Sequence, residues 1–142
     1  MSKLILAVGF PRSGKTTKCK ALAADLGAAI VNPDSIRLAI HGQAYIQEAE
    51  PYVWTVAKTM VKALFLAGHD TVIIDAVNNT VRRRNEWISK AWHREFLVID
   101  TDADECIRRA IEEENDAIIP IIERMRTQHE PVSYDELKAW EH

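Results

Sequence analysis

Gly9-Phe10-Pro11-Arg12-Ser13-Gly14-Lys15-Thr16 sets two glycines, a lysine and a hydroxyl at the spacing that holds a polyphosphate. Glycine lets the backbone turn tightly and approach a ligand closely. Backbone N–H groups of such a loop, and of a helix starting at its end, then face an anion. Lys15 is placed to reach β- and γ-phosphates, and the Thr16 hydroxyl to reach Mg²⁺. All fixed positions of the G-x-x-x-x-G-K-[ST] pattern are filled, which is the Walker A loop. The expected nucleotide contacts are Gly9, Pro11, Arg12, Ser13, Gly14, Lys15, Thr16 and Thr17. The competing reading, a glycine turn before a helix with a chance lysine, lacks a reason for the full pattern.

Two further groups carry chemistry. Asn32-Pro33-Asp34 reads as a helix start, with Asn32 as N-cap and Pro33 in the first helical position. Asp34 and Arg37 then share one face of its first turns. A carboxylate beside a guanidinium, just past a strand's C-terminal end, stands where open α/β sheets bind ligands. Thr71-Val72-Ile73-Ile74-Asp75 reads as an apolar strand with an acid at its tip, the Walker B arrangement, in which Asp75 holds Mg²⁺ or its water. Thr16 and Asp75 are thus the expected metal-side residues. Asn78 follows in the next loop, either facing substrate or serving as a turn residue.

The elements that must position these groups follow from patterning. Lys3 to Val8 reads as a buried strand and Lys15 to Leu26 as a helix. The spacing predicts a second strand at Ala28 to Val31 and helix from about Ile46 to Ala67, whole or preceded by a shorter one, with Gly68 ending it. In it, Val53, Val56, Ala57, Met60, Val61, Leu64 and Phe65 recur at helical spacing. Tyr45, Tyr52 and Trp54 line a substrate groove or serve as packing aromatics. Arg82-Arg83-Arg84 opens a predicted helix with Trp87, Ile88, Ala91 and Trp92 as its apolar face, and one of these arginines is expected to meet substrate phosphate while the other two face solvent or pair with an acidic neighbour. A fourth strand is expected at Glu95 to Asp100 and a helix capped by Thr101 or Asp102 after it. Glu105 to Met125 is helical in pattern, with Pro120 starting a new helix or breaking this one. Its polar middle, Glu112-Glu113-Glu114-Asn115-Asp116, suits a mobile lid or an exposed charged hairpin. Ser133 and Glu136 form a capping box for a final helix reaching Trp140. Non-alternating apolar strands imply burial on both faces, hence an α/β P-loop sandwich. A mainly parallel four-stranded sheet of order 2-3-1-4 with a helical lid is expected.

At 142 residues the chain reads as one domain, 1–142, and is long enough to bury a core. A net charge of −3 gives no global nucleic-acid footprint. No leader-like apolar segment or membrane-length run is present, so cytoplasmic location, with Cys19 and Cys106 reduced and buried, is the expectation. The five histidines lack ligand spacing, and no structural zinc is expected.

Taken together, Gly9 to Thr16, Asn32-x-Asp34-x-x-Arg37, Ile74-Asp75-Ala76-x-Asn78 and Arg83-Arg84-x-x-Trp87 resemble the P-loop kinases grouped with polynucleotide 5′-kinases, including small phage and bacterial AAA-type ATP-binding proteins. The resemblance spans nearly the whole chain. It implies ATP and Mg²⁺ as cofactors, with Lys15 and Thr16 on the phosphates. It implies Asp34 as the base for the attacking hydroxyl, Arg37 on the acceptor's phosphate, and Asp75 and Asn78 between acceptor and metal. Members carry two lid arginines four apart. Here Arg109 matches the first, but Glu113 stands four later, and starting from Arg108 gives Glu112. Arg12, Arg124 or Arg126 is left to supply the missing charge. No phosphatase domain is recognised, so 3′-phosphatase activity is not expected.

The expected function is therefore transfer of the γ-phosphate of ATP to a 5′-hydroxyl of DNA or RNA, with single-stranded or nicked 5′ ends as partners. The alternatives are a kinase of a nucleoside, sugar or antibiotic hydroxyl, and a nucleotide-binding switch with little catalysis.

Overall fold

The computed structural model describes residues 2–137. The strands β1 (Lys3–Val8), β2 (Ala29–Val31), β3 (Thr71–Ile74) and β4 (His93–Val98) form one sheet of order β2-β3-β1-β4. Every pairing is parallel, so the sheet is wholly rather than mainly parallel. The order expected from the sequence holds.

Alternate residues of β1 feed two cores. Leu4 and Leu6 pack on one face with Val31, Val72, Ile74 and the helix α3 (Glu50–Leu66) through Val53, Ala57 and Val61. Ile5 and Ala7 pack on the other face with Ile73, Ile99 and Cys19 of α1 (Lys15–Leu26). Burial of both faces explains the continuous apolar strands. A third cluster, Ala103, Cys106 and Ile122, joins α5 (Ala103–Glu112) to α6 (Ile119–Gln128). Both cysteines are free and buried.

Between these lie α2 (Pro33–His41), α4 (Val81–Asn85) and α7 (Tyr134–Leu137). The Asn32 side chain accepts from the Asp34 N–H at 2.8 Å, capping α2 as expected. A 3₁₀ turn, Gln47–Ala49, precedes α3. In α3 the face containing Val56 and Met60 is exposed.

Three boundaries and one cap differ from expectation. Strand β4 runs from His93 to Val98 rather than from Glu95 to Asp100, because its register matches Lys3 with His93 and Val8 with Val98. The helix expected to carry Trp87 to Trp92 stops at Asn85. There the Trp92 indole N–H donates to the Trp87 carbonyl at 2.8 Å and the Ala91 N–H to Ser89 Oγ at 3.0 Å, so local bonds turn the chain while both tryptophans stay buried. The long helix expected from Glu105 breaks at Glu113 to Asn115, where Glu114 has φ 57, and Pro120 sits in the first turn of α6. The final capping box forms only in half. Ser133 Oγ accepts the Glu136 N–H at 3.2 Å, but the Glu136 carboxylate turns inward to Arg84. Lys138 to Trp140 lie outside the described residues.

Candidate active site

The Gly9 to Thr16 loop, the candidate phosphate cradle, forms at the C-terminal end of β1. Gly14 caps α1 with φ 89, a left-handed conformation that glycine adopts freely. No side chain caps this helix end, and its first turn has no acid, so the N–H groups there stay available to an anion. A side chain at Gly9 would place its first carbon 2.9 Å from Ser13 Oγ and 3.2 Å from Ile99 Cβ, which fixes glycine at that position. Thr101 Oγ1 donates to the Ser13 carbonyl at 3.0 Å and ties the loop to the segment after β4. The loop walls a cavity of about 300 Å³ with Arg12, Lys15, Thr16 and Thr17 on one side and Arg109 and Glu113 on the other. Arg109 Nη1 donates to the Arg12 carbonyl at 3.1 Å, so Arg109 reaches the loop. Arg126 is tied to Asp104 and Glu123 at 2.8 and 3.0 Å.

Asp75, just past β3, is the hub. Its Oδ2 accepts from Thr16 Oγ1 at 2.9 Å and, at a long 3.4 Å, from Asn32 Nδ2. Its Oδ1 is buried with Lys15 Nζ 3.8 Å away and no hydrogen-bond donor among the described residues. A buried carboxylate oxygen without a donor, next to a threonine hydroxyl, is an oxygen pair that suits Mg²⁺, which binds through one or two carboxylates plus substrate phosphates. Beneath the loop Cys19 is pushed up to about 12, mostly by burial and then by the Asp75 charge, so its thiol stays protonated.

Asp34 and Arg37 pair on α2, next to Asn32. Arg37 Nη1 donates to Asp34 Oδ1 at 2.7 Å. The Asp34 carboxylate is 79% exposed and Arg37 15%. Arg37 also forks onto Glu50, with Nε to Oε2 at 2.9 Å and Nη2 to Oε1 at 2.7 Å. Three of its five N–H groups are thus used, leaving two. The fork holds the Glu50 carboxyl below its ordinary 4.5, against a smaller opposing effect of burial. Because the folded value is depressed, the stabilisation is complete above pH 4.5 and is lost as pH falls through the folded value. Glu50→Gln is expected to cost about 1–2 kcal/mol at neutral pH, with the gap from wild type closing under acid; urea unfolding of both proteins across that range checks it.

Asn78 is buried, not facing open space. Its φ is 47, which asparagine tolerates, and its side-chain N–H donates to the Ala7 carbonyl at 2.7 Å. Arg84 is fully buried and structural. Arg83 lies over the Trp54 ring at 4.6 Å, and Arg82 is exposed. Tyr45 and Tyr52 are exposed. A second cavity of about 300 Å³ opens beside the loop, walled by Gly9, Phe10, Thr101, His129 and Pro131. Burial, with the Arg84 charge, holds the His129 ring below its ordinary value. Glu50 and His129 escaped the sequence reading, and Glu113 entered it only as the residue four past Arg109 and as part of an acidic run.

Comparison with known proteins decides the family. The AAA domain family matches residues 4–132. The chain belongs to that family. A chain of the Pnkp1/Rnl/Hen1 complex aligns at 28% identity and a TM-score of 0.68, over 76% of this chain and 38% of that one. A chain of the Pnkp1/Rnl/Hen1 RNA repair complex aligns at 22% identity and 0.67, over 89% and 43%. A gluconokinase from Sinorhizobium meliloti 1021 shares the fold at 14% identity and 0.63, over 96% and 78%. The chain therefore spans less than half the length of the two repair-complex chains. No curated protein sequence matches it. The chain has a P-loop kinase-like fold, and its resemblance to the polynucleotide 5′-kinase-like group stands. Among the described residues no helix is long and apolar enough to cross a membrane.

Proposed function

We propose that this AAA-family domain, taken as a single unit, transfers the γ-phosphate of ATP to the 5′-hydroxyl of DNA or RNA. One observation carries the reading. The Asp34 backbone bonds to Asn32, the Asn32 side chain reaches Asp75, and Asp75 bonds to Thr16 and stands beside Lys15. A carboxylate–guanidinium pair is thereby held at the same end of the sheet as the phosphate cradle. The 28% identity to a chain of the Pnkp1/Rnl/Hen1 complex supports the polynucleotide acceptor.

In this reading the acceptor oxygen attacks the γ-phosphorus and its proton passes to Asp34. The bond from phosphorus to the bridging oxygen breaks, and ADP leaves. Lys15 neutralises the phosphates, and the cradle's N–H groups align them. Arg37 offers its two remaining N–H groups to a phosphate beside the attacking hydroxyl, with Glu50 fixing its plane. Thr16 and Asp75 would hold Mg²⁺, which supplies charge neutralisation on the β- and γ-oxygens.

A second reading draws on Glu50 itself. Its charge offsets that of Arg37, which favours an uncharged acceptor such as a sugar or nucleoside hydroxyl. Asp34→Asn separates base catalysis from binding in either case. It should leave ATP affinity within about twofold and cut transfer by about 10²-fold or more. Steady-state transfer alongside calorimetric ATP binding reads both; undiminished transfer would reduce Asp34 to a helix-start residue.

A further inference from the structure

We propose that the Arg12 side chain is the cation that meets the terminal phosphate of the bound nucleotide, and that Glu113 is the counter-ion it releases to do so. The inference rests on the nucleotide-binding reading above and adds to it a residue that discriminates triphosphate from diphosphate.

The backbone gives the first reason. Arg12 has φ 69, a left-handed conformation. For a residue with a β-carbon this costs roughly 1–2 kcal/mol, which glycine would avoid. Asn78 also has positive φ, but asparagine tolerates it and its side chain bonds Ala7. Arg12 makes no such local side-chain bond; its backbone is held from outside the loop, the carbonyl accepting from Arg109 Nη1 at 3.1 Å. A strained residue in a ligand-binding loop points to a use for its side chain.

The cavity gives the second. The Arg12 side chain walls the same space of about 300 Å³ as Lys15, Thr16 and Arg109. Arg109 Nη1 grips the Arg12 carbonyl at 3.1 Å and holds this part of the loop in place. Glu113 comes from the far wall, one residue past the end of α5, and its carboxylate pairs with Arg12 Nη2. The two side chains are 36% and 50% exposed. A pair so open to water contributes little and exchanges readily. A terminal phosphate offers more charge than a carboxylate and fits the guanidinium fork, so the exchange is downhill.

Arg12→Gly tests this cleanly, because relief of backbone strain keeps the fold at least as stable. Binding of Mg²⁺–ADP and of a non-hydrolysable Mg²⁺–ATP analogue would be measured by calorimetry, with thermal unfolding alongside. The variant should lose about tenfold in affinity for the triphosphate and stay within about twofold for ADP, with an unchanged or raised unfolding temperature. Glu113→Gln should tighten triphosphate binding about threefold or more, and adding it to Arg12→Gly should change nothing further. Equal losses on both nucleotides, no loss on either, or weaker triphosphate binding in Glu113→Gln would overturn the proposal. A wild-type protein that binds neither nucleotide would overturn the phosphate-pocket reading itself, and this inference with it.

Discussion

Lys15→Ala is expected to cut phosphoryl transfer by about 10³-fold and to weaken ATP binding with it. The lysine joins the loop cavity to Asp75. Its ammonium lies 3.8 Å from Asp75 Oδ1 and lines the cradle beside Thr16, with its side chain 13% exposed. Removing it deletes the charge proposed to meet β- and γ-phosphates and leaves the buried Asp75 carboxylate with less compensation. An anionic polyphosphate would then face that carboxylate across the cradle. The helix N-terminus and Arg109 remain, so residual binding through backbone N–H groups is expected. Stopped-flow binding of a fluorescent ATP analogue and steady-state turnover measure the two losses separately. Turnover near the wild-type rate would mean that the loop does not cradle phosphates.

The largest expected effect on stability falls on a residue that never touches the cradle. Arg84 is fully buried, and its Nε and Nη2 fork onto Glu136 at 2.6 and 3.1 Å. Nη1 donates to the Asn78 carbonyl and Nη2 to the Glu130 carbonyl, both at 2.8 Å. Arg94 closes the network by donating to the Arg84 carbonyl at 2.7 Å and the Glu136 carbonyl at 3.3 Å. Arg84→Ala would strand a buried carboxylate and two carbonyls. Breaking one partner of a buried pair costs about 3–5 kcal/mol. Arg84→Lys keeps the charge but loses the fork, so an intermediate loss is expected. Urea unfolding at neutral pH reads both; a loss under about 1 kcal/mol for Arg84→Ala would show that Glu136 finds another partner or water. The network ties the loop after β3 to the segment after α6, so it also sets where Asn78 sits under β1. Like other buried pairs, it need not be more stable than an apolar substitute. Its evident contribution is the placement of that loop.

The cradle and the sheet were legible because their signals are local. The Walker A residues are contiguous, and β1, β2 and β3 are mainly apolar runs that report burial on both faces, whereas β4 opens on His93-Arg94-Glu95 and is the least apolar of the four. Asn32-Pro33 announces α2 by its own capping chemistry. The ion pairs were not legible. Arg84 and Glu136 lie 52 residues apart, and Arg37 and Glu50 lie 13 apart with a turn between them. No periodicity links such partners; only the fold brings them together. Trp87, Ile88, Ala91 and Trp92 mimic a helical stripe, yet the indole of Trp92 bonds the Trp87 carbonyl and the chain turns instead. The acidic run at Glu112 to Glu114 puts a carboxylate where the resemblance implies the second lid arginine. In the fold Glu113 occupies Arg12 at the cavity wall, while Glu112 is spent on Arg108 along the helix.

Asp34 and the cradle are proposed to act together on a hydroxyl at a nucleic-acid 5′ end. The most direct test is transfer of labelled γ-phosphate from Mg²⁺–ATP to 5′-hydroxyl DNA and RNA oligonucleotides, beside a 3′-nucleotide, nucleosides and sugars, with Asp34→Asn as control. Label on oligonucleotide 5′ ends that disappears in Asp34→Asn is the predicted result. Label confined to a sugar or nucleoside, or oligonucleotide labelling that survives in Asp34→Asn, would contradict it.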